Sequence, residues 1–294
     1  MISDRGIDRL LEAASWPDLD ARYEITGVAG YGGMGTVYVA RDHVLDREVA
    51  VKVLDIADEL GSRARRLQRE AHILARLDHP GIVPIHDAGT LEDGRAFYVM
   101  KLVKGRSLDD LVRDRTPLAS RLTVFDRILD AVAFAHAHGV VHRDLKPQNV
   151  MVGAFGEVYV MDWGVAQDGG DDEPAVVGTP GFMAPEQAMA GAVDPRADVY
   201  ALGMLLTQLI GGDAPAPLRA VAGKARHQDP AGRYQRVEDL AADLARFRNQ
   251  DPVGAYRESA VERLVRLYRR YELPILLLVA YIVMRFVLLV WRGI

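Results

Sequence analysis

The sequence predicts an α+β protein with a long apolar helix near its C-terminus, and three observations support this prediction. Two runs that alternate between β-branched and other residues, Thr36 to Ala40 and Val49 to Leu54, are typical of strands. Apolar side chains at helical spacing predict a helix from Arg63 to Leu77. The third observation is the apolar run from Leu273 to Trp291, which as a helix of about 19 residues spans roughly 28 Å.

The composition excludes some kinds of site and argues against one kind of partner. The chain contains no cysteine, so it can form neither disulfides nor thiolate metal sites. Its formal net charge of -5 argues against a dedicated nucleic-acid binder. The segment Met1 to Asp20 is charged and lacks the apolar core of a signal peptide. Within it, Ile7 to Ala14 has the spacing of a short amphipathic helix, to which we assign no function.

A glycine-rich segment precedes the strand Thr36 to Ala40. Gly30, Gly32 and Gly35 have the spacing G-x-G-x-x-G, which occurs in dinucleotide-binding folds and in loops that cover nucleotide phosphates. A dinucleotide-binding loop leads into a helix, with an acidic residue about 20 positions further on. Because these glycines lead into a strand, they favour a phosphate-covering loop. Glycine suits such a loop because a Cβ atom would hold the backbone away from the nucleotide.

The second predicted strand carries a lysine among valines. Alternation from Val49 to Leu54 places the valines on one face, and Ala50 with Lys52 on the other. Ala50 is small enough to leave room for an adenine, and Lys52 can reach the α- and β-phosphates. Such a lysine can also be an ordinary charge on an edge strand. Its place just after the glycine loop favours the nucleotide.

The richest set of reactive side chains lies in the run His142 to Asn149 and in the Asp-Trp-Gly triplet that begins at Asp162. Phosphoryl transfer needs a carboxylate that orients a hydroxyl, a cation beside the moving phosphate, and oxygen ligands for Mg²⁺. Asp144 is the candidate base and Lys146 the cation, while Asn149 and Asp162 are the candidate ligands. The alternative, a solvated polar turn between two strands, does not explain why these residue types occur together.

Together these motifs resemble the protein kinase family. The form His-Arg-Asp-Leu-Lys-Pro-x-Asn is similar to the serine/threonine branch, and the Gly-Gly-Met-Gly form of the loop is similar to bacterial Hanks-type kinases. The resemblance implies the two-lobed protein kinase fold, with a β-rich N-lobe containing the helix that the family calls αC, and a helical C-lobe. It also implies a serine/threonine protein kinase that transfers the γ-phosphate of ATP, with Mg²⁺, to protein hydroxyls. The expected segments are an N-terminal extension (1–21), the N-lobe (22–103), the C-lobe (104–250), a basic juxtamembrane segment (251–272) and a transmembrane helix (273–291).

The resemblance also implies the site residues. The implied catalytic residues are Asp144, Lys146, Lys52 and Glu70, and the implied Mg²⁺ ligands are Asn149 and Asp162. The residues implied at the nucleotide are Gly30, Gly32, Gly33, Gly35, Val37, Ala50, Lys52, Met100, Val103 and Met151. Met100 takes the place of the gatekeeper, and the hinge follows at Lys101, Leu102 and Val103. Lys101 stands where members of the family often carry glutamate.

Glu70 is implied as the carboxylate partner of Lys52. It lies on the predicted helix, whose apolar stripe consists of Leu67, Ala71, Leu74 and Ala75. The neighbouring Glu59 is less well placed. Because single exposed ion pairs contribute little to stability, we expect the Lys52–Glu70 pair to act as a positional switch.

The stretch Gly178 to Glu186 resembles the end of a kinase activation segment. The resemblance implies that Thr179 forms hydrogen bonds near the base and the cation of the catalytic loop. It also implies an ion pair between Glu186 and Arg233. A helix that begins near Asp198 resembles the one that anchors the catalytic loop in the family.

Three features depart from the family pattern. Trp163 replaces the usual phenylalanine and is expected to pack beneath the Glu70 helix, so that activity survives. No Ser, Thr or Tyr occurs between Val165 and Val177, where carboxylates either take the place of a phosphate beside Arg143 or form a solvated acidic loop. These carboxylates are Asp168, Asp171, Asp172 and Glu173. The stretch Gly211 to Lys224 is short and leaves no room for an extra helix that the family uses in docking, so partner recognition cannot be carried over.

The apolar run is preceded by an amphipathic segment with a basic face. Its apolar residues, at helical spacing, are Val261, Leu264, Val265 and Tyr268, and its arginines are Arg257, Arg263, Arg266, Arg269 and Arg270. The positive-inside rule then keeps the kinase lobes in the cytoplasm. Arg285 lies near the distal end of the run and can snorkel to the interface. We expect a single-pass anchor in the cytoplasmic (inner) membrane; the alternative is a buried helix of the C-lobe.

Two other functions are compatible with this fold. A pseudokinase would bind nucleotide or act as a scaffold, and the complete set of implied catalytic residues argues against it. A small-molecule kinase is disfavoured because Gly178 to Glu186 resembles a peptide platform. The expected partners are ATP, protein substrates with Ser or Thr, and a membrane, without nucleic acid. A homodimer for autophosphorylation is left open.

Overall fold

The structure, a computed structural model, describes residues 16–292 with gaps at 33–34, 55–61, 115, 164–166, 169–177, 190 and 192. Some predictions concern residues outside this part, namely Gly33, Glu59, Ile7 to Ala14 and Asp171 to Glu173.

The first lobe is a five-stranded antiparallel sheet with one helix, in the strand order β1-β2-β3-β5-β4. Its strands are β1 (Tyr23–Gly32), β2 (Gly35–Asp42), β3 (Arg47–Val53), β4 (Ile85–Thr90) and β5 (Ala96–Lys101). Helix α1 (Ser62–Arg76) follows β3 in the chain. Alternation along β3 buries its three valines in one apolar cluster, while Ala50 belongs to the cluster that contains the α1 residues. Both faces of β3 are therefore covered, as a strand rich in valine requires.

Helix α1 turns the side that carries Glu70 toward the sheet. Leu67, Ala71 and Leu74 are buried, as the predicted stripe requires, and Glu70 beside them is buried too. The prediction that Ala75 belongs to the buried stripe was wrong, because Ala75 is exposed and Ile73 is buried in its place. Successive residues of a helix are about 100° apart, so Ile73 and Ala75 lie on opposite sides of Leu74. A helix rotated so that Glu70 faces the sheet therefore buries Ile73 and exposes Ala75.

The second lobe is mostly helical. Its helices are α2 (Leu108–Arg113), α3 (Leu118–Ala137), α4 (Pro185–Ala188), α5 (Arg196–Ile210), α6 (Ala216–Ala225) and α7 (Val237–Arg248). Helix α5 is its centre, since most of its residues are buried. A Cβ atom on Gly203 would lie 2.8 Å from Cβ of Ala225, so glycine lets α5 and α6 approach closely. Residues 211–229, all of them described, contain the single helix α6, which agrees with the short stretch seen in the sequence.

Two small sheets support the loops between the lobes. Strands β6 (Gly105–Ser107), β8 (Val150–Gly153) and β9 (Val158–Val160) form one sheet, and β7 (Val140–Val141) pairs with β10 (Gln167–Asp168) in the other. The run from His142 to Asn149 connects β7 to β8 and ends in a 3₁₀ turn at Pro147–Asn149. The sheets therefore fix both ends of this catalytic loop and the position of Asp162 just after β9.

Two helices end the described chain, α8 (Ala260–Arg270) and α9 (Glu272–Arg292). The predicted amphipathic stripe of α8 is exposed, with Val261 71% and Leu264 67% accessible. The described apolar side chains of α9 are exposed as well, except for the partly buried Ile275, so α9 is not the buried helix of the lobe that the sequence left as an alternative. Within the described part of the chain, no helix combines the length and apolarity of a membrane span.

Candidate active site

A cleft between the two lobes contains the predicted site. Its cavity has a volume of about 880 Å³. The predicted nucleotide residues that line it are Gly30, Gly35, Val37, Ala50, Lys52, Met100, Val103 and Met151. The sequence did not single out Val83 and Met161, which line it as well. A second cavity of about 710 Å³, between α8 and the C-lobe, contains none of the predicted site residues.

The glycine loop is the hairpin between β1 and β2. Gly30 pairs with Val37 and Gly32 with Gly35. A Cβ atom on Gly30 would meet nothing within 4 Å, so the backbone there is open to a ligand. At Gly35 the requirement is different, because a Cβ atom would lie 2.1 Å from the carbonyl oxygen of Val53. This third glycine, which also lines the cleft, is thus required for close packing on β3.

Lys52 connects the two lobes through carboxylates. Its Nζ lies 3.1 and 3.0 Å from the two carboxylate oxygens of Glu70, and 2.9 Å from Oδ1 of Asp162. Burial alone would lower the pKa of Lys52, but the two carboxylates outweigh burial and raise the pKa, so Lys52 stays charged. Burial raises the pKa of Glu70. We assign the pair as ionised, because both oxygens of Glu70 accept hydrogen bonds from Lys52.

Glu70 has a further partner that the sequence did not reveal. The hydroxyl of Tyr98, on β5, donates a hydrogen bond of 2.8 Å to Glu70 Oε1. Tyr98 is buried, and it lies directly opposite Lys52 in the pairing of β3 with β5. An aromatic residue in an alternating strand usually belongs to the apolar core, so the sequence pattern did not indicate that Tyr98 forms this hydrogen bond.

Asp198, in the first turn of α5, holds the catalytic loop as predicted. It accepts hydrogen bonds of 2.8 Å from the backbone N–H groups of His142 and Arg143, and His136 Nε2 lies 2.8 Å from its Oδ2. Burial alone would raise the pKa of Asp198, but these hydrogen bonds outweigh burial and lower it. Arg143 has a φ of 71°, in the left-handed region, which costs about 1–3 kcal/mol for a non-glycine residue. The bonds to Asp198 keep the loop in this strained form.

The base and the cation of the catalytic loop are in direct contact. Lys146 Nζ donates hydrogen bonds of 2.7 Å to Asp144 Oδ2 and 2.8 Å to Thr179 Oγ1. Thr179 Oγ1 in turn donates one of 2.7 Å to Asp144 Oδ1. The predicted contact of Thr179 with this pair is thus confirmed. All three side chains are partly buried at the floor of the cleft.

The described residues at the predicted metal site fit Mg²⁺ shared with phosphate oxygens. Asn149 donates through Nδ2 to the backbone oxygen of Asp144 at 2.8 Å, and among the described residues its Oδ1 has no hydrogen bond, so that this oxygen can bind a cation. Asp162 uses Oδ1 for Lys52, and Oδ2 has no hydrogen bond among the described residues. Burial raises the pKa of Asp162, but Lys52 and other cations outweigh burial and lower it, so the carboxylate is ionised. One amide oxygen and one carboxylate oxygen suit a hard cation that keeps part of its coordination for the nucleotide.

The remaining predicted contacts concern the surroundings of the site. The ring of Trp163 lies 4.5 Å from that of His142, and its Nε1 donates to the carbonyl oxygen of Val160 at 3.1 Å. Arg233 forms the predicted ion pair with Glu186 through two hydrogen bonds of 2.6 and 2.7 Å. Both contacts join elements that surround the cleft.

Arg143 is the residue beside which the sequence predicts either a carboxylate of the activation segment or a solvated acidic loop. Its Nε atom is buried, and the described residues offer it no hydrogen-bond partner. Burial lowers the pKa of its guanidinium, with a smaller opposing effect of Asp198. The backbone of Asp168 pairs with Val140, but its side chain and the other three acids lie outside the description. A carboxylate in the place of a phosphate beside Arg143 stays a prediction.

Comparisons with known proteins agree with this geometry. The family model for the protein kinase domain matches residues 23–252. The serine/threonine-protein kinase PknB of Mycobacterium leprae is 38% identical over 244 residues, which cover 78% of this chain and 39% of that protein. PrkC of Bacillus subtilis is 34% identical over 263 residues, covering 77% of this chain and 40% of that protein. The chain thus spans about two fifths of the length of these relatives.

Solved structures show the same similarity. The crystal structure of the kinase domain of PknI from Mycobacterium tuberculosis matches with a TM-score of 0.62 and 27% identity, covering 78% of this chain and 97% of that one. The fold, the match over residues 23–252 and these relatives confirm the resemblance seen in the sequence. This chain therefore belongs to the protein kinase domain family, among the Hanks-type serine/threonine kinases of bacteria.

Proposed function

We propose that the protein is an active serine/threonine protein kinase, which transfers the γ-phosphate of ATP to hydroxyl groups of protein substrates. One observation supports this most strongly: both halves of the site are assembled in the same structure. Lys52 is bonded to Glu70, and Asp144 is bonded to Lys146 and Thr179. A pseudokinase that only binds nucleotide has no need for the second half, because binding requires no base.

Each residue of the cleft then has a defined task. Asp144 accepts the proton of the substrate hydroxyl and orients its oxygen toward the phosphorus. Lys146, at 2.7 Å from Asp144, neutralises charge on the transferred group. Lys52, fixed by Glu70, positions the α- and β-phosphates. Asn149 and Asp162 would hold Mg²⁺, which would neutralise charge on the phosphate oxygens.

The test is phosphate incorporation by the purified protein with ATP labelled at the γ-position. We expect incorporation that requires Mg²⁺, with phosphoserine or phosphothreonine found by mass spectrometry in the protein itself and in a treated lysate. Nucleotide binding without incorporation would support the pseudokinase instead. Label found only in small molecules would support the small-molecule kinase. To test transfer between two copies, unlabelled tagged Asp144→Asn protein is mixed with wild type, because label on the tagged copy requires a second molecule.

We further propose that α9 anchors the protein in the cytoplasmic membrane, with the kinase lobes in the cytoplasm. The run from Leu273 to Val290 contains one charged residue, Arg285. The structure describes the side chains of this run except those of Leu289 and Val290. The exposure of the described apolar side chains supports the proposal, because water disfavours an apolar surface of this extent. Arg285 donates to the hydroxyl of Tyr281 at 3.3 Å, which gives its charge a polar neighbour. The basic helix α8 precedes the run on the side that the positive-inside rule assigns to the cytoplasm.

A further inference from the structure

Tyr98 forms a bond that ties three elements of the N-lobe together. Its hydroxyl on β5 donates to Glu70 Oε1 on α1 at 2.8 Å, and the same oxygen accepts from Lys52 on β3 at 3.1 Å. Tyr98 and Lys52 face the same side of the sheet because they are opposite each other in the pairing of β3 with β5. The carboxylate of Glu70 therefore lies between two donors that the sheet holds in fixed positions.

The two donors differ in what happens when α1 moves away. Lys52 retains a second carboxylate, since its Nζ lies 2.9 Å from Asp162 Oδ1. Tyr98 is 2% exposed, and its bond to Glu70 is the only hydrogen bond that its hydroxyl makes with the described residues. If Glu70 left, this hydroxyl would stay buried without an acceptor, which is unfavourable. Displacement of α1 would therefore break the Lys52–Glu70 pair and, in addition, leave the Tyr98 hydroxyl without its acceptor.

The hydroxyl of Tyr98 is protonated near neutral pH and is therefore available as a donor. Burial and the carboxylate of Glu70 raise the pKa of Tyr98 well above its ordinary value. The bond accordingly needs no ligand and no covalent modification. This matters in a chain that has no Ser, Thr or Tyr between Val165 and Val177, where a phosphate could otherwise order the site.

We propose that Tyr98 is a positioning residue, which holds α1 in the orientation that keeps Glu70 on Lys52 and so makes the site competent without a phosphate on the activation loop. The proposal rests on the proposed kinase function for its kinetic consequence. Its structural consequence, a bias of α1 toward the sheet, does not depend on activity.

The experiment compares Tyr98→Phe with a matched control, Tyr234→Phe, in the full chain. Tyr234 also donates a buried hydrogen bond of 2.8 Å to a carboxylate, Asp243, but it lies in the C-lobe and outside the cleft. The first readout is hydrogen exchange of the α1 amides in protein without nucleotide or Mg²⁺. The second is the steady-state kinetics of phosphate transfer from ATP to protein. Tyr98→Phe is also made in the Glu70→Gln background, because coupled residues give non-additive effects.

We expect exchange in α1 to become about tenfold faster in Tyr98→Phe and to stay unchanged in Tyr234→Phe. We also expect kcat/KM for ATP to fall roughly three- to tenfold in Tyr98→Phe alone, with no further fall when Glu70 is already Gln. Equal behaviour of the two tyrosine variants in both readouts would overturn the proposal, as would additive losses with Glu70→Gln. If wild type transfers no phosphate, the proposed function fails, and exchange in α1 alone still decides the role of Tyr98.

Discussion

Thr179 donates a hydrogen bond of 2.7 Å to Asp144, which joins the activation segment to the catalytic loop across 35 positions of sequence. Lys146 closes the triangle, since it contacts both side chains. The position of the peptide platform is thereby coupled to the position of the base. When a substrate hydroxyl approaches Asp144, Thr179 already orients the carboxylate of Asp144.

Replacing Thr179 with valine therefore tests whether the base must be oriented from the activation segment. Valine keeps the shape of threonine and removes the hydroxyl, so Asp144 and Lys146 each lose one partner. We expect kcat to fall roughly 10- to 100-fold, because small misplacements of a catalytic group have effects of this size. Thr179→Ser, which keeps the hydroxyl, should retain most of the activity. A Thr179→Val protein as active as wild type would show that the contact has no role in transfer.

The ion pair between Glu186 and Arg233 should contribute to folding stability. The side chain of Arg233 is fully buried, so Glu186→Ala leaves a buried charge without its partner and should cost about 3–5 kcal/mol of unfolding free energy. The control is Glu238→Ala, which breaks an exposed pair with Arg236 and should cost about 1 kcal/mol or less. Urea unfolding of both variants measures the difference. Losses of equal size would contradict the structural role.

Asp198 should make stability depend on pH in the acidic range. The pKa of Asp198 in the folded state lies below the unfolded value of about 3.9. The stability that its carboxylate contributes is therefore complete above this unfolded value and is lost as the pH falls through the folded-state pKa. We expect Asp198→Asn to lose about 2–4 kcal/mol at pH 7, since the amide cannot replace both carboxylate acceptors. The difference from wild type should persist to about pH 4 and shrink below it. Urea titrations at several pH values measure it, and a difference that grows toward acid would refute the assignment.

Membrane anchoring predicts where the protein is found in cells. Removal of the residues from Leu273 onward should move the protein from the membrane fraction to the soluble fraction, while phosphate transfer is retained. A full-length variant with Val279→Arg and Ile282→Arg should also leave the membrane fraction, because each central arginine costs about 2.5–3.5 kcal/mol on insertion. If wild-type protein is already soluble after cell fractionation, the anchor proposal is wrong.

The sequence predicted those parts of the site whose residues lie in contiguous motifs. The catalytic loop, the glycine loop and β3 each carry their chemistry in short runs, in which residue type, spacing and the family resemblance together indicated residues that the structure places at the cleft. The family resemblance also implied some long-range contacts, such as Glu186 with Arg233. The contacts that were missed involve residues outside the motifs: Tyr98 with Glu70, over 28 positions, and His136 with Asp198, over 62. Such pairs are decided by how helices and strands pack together, and a single sequence shows no pattern for them.

A similar limit explains two smaller differences. The buried stripe of α1 is rotated toward Glu70, so Ala75 is exposed. The orientation of a helix about its axis depends on the surface against which it packs, and the sequence pattern does not show that surface. Gly35 was expected at the nucleotide and does line the cleft, but the structure adds that it also makes room for the backbone of Val53. In both cases the sequence indicated the element correctly, and the neighbouring element determined the role of the residue.

The most direct test of the central claim is a comparison of wild type with Asp144→Asn in phosphate transfer from labelled ATP in the presence of Mg²⁺. Asparagine keeps the size of the side chain and removes the base, while the nucleotide cleft around Lys52 is left intact. We expect wild type to label Ser or Thr, and Asp144→Asn to bind ATP with nearly wild-type affinity and to transfer no phosphate. Equal labelling by the two proteins, or none by wild type under the same conditions, would contradict the assignment of this cleft as the active site of a kinase.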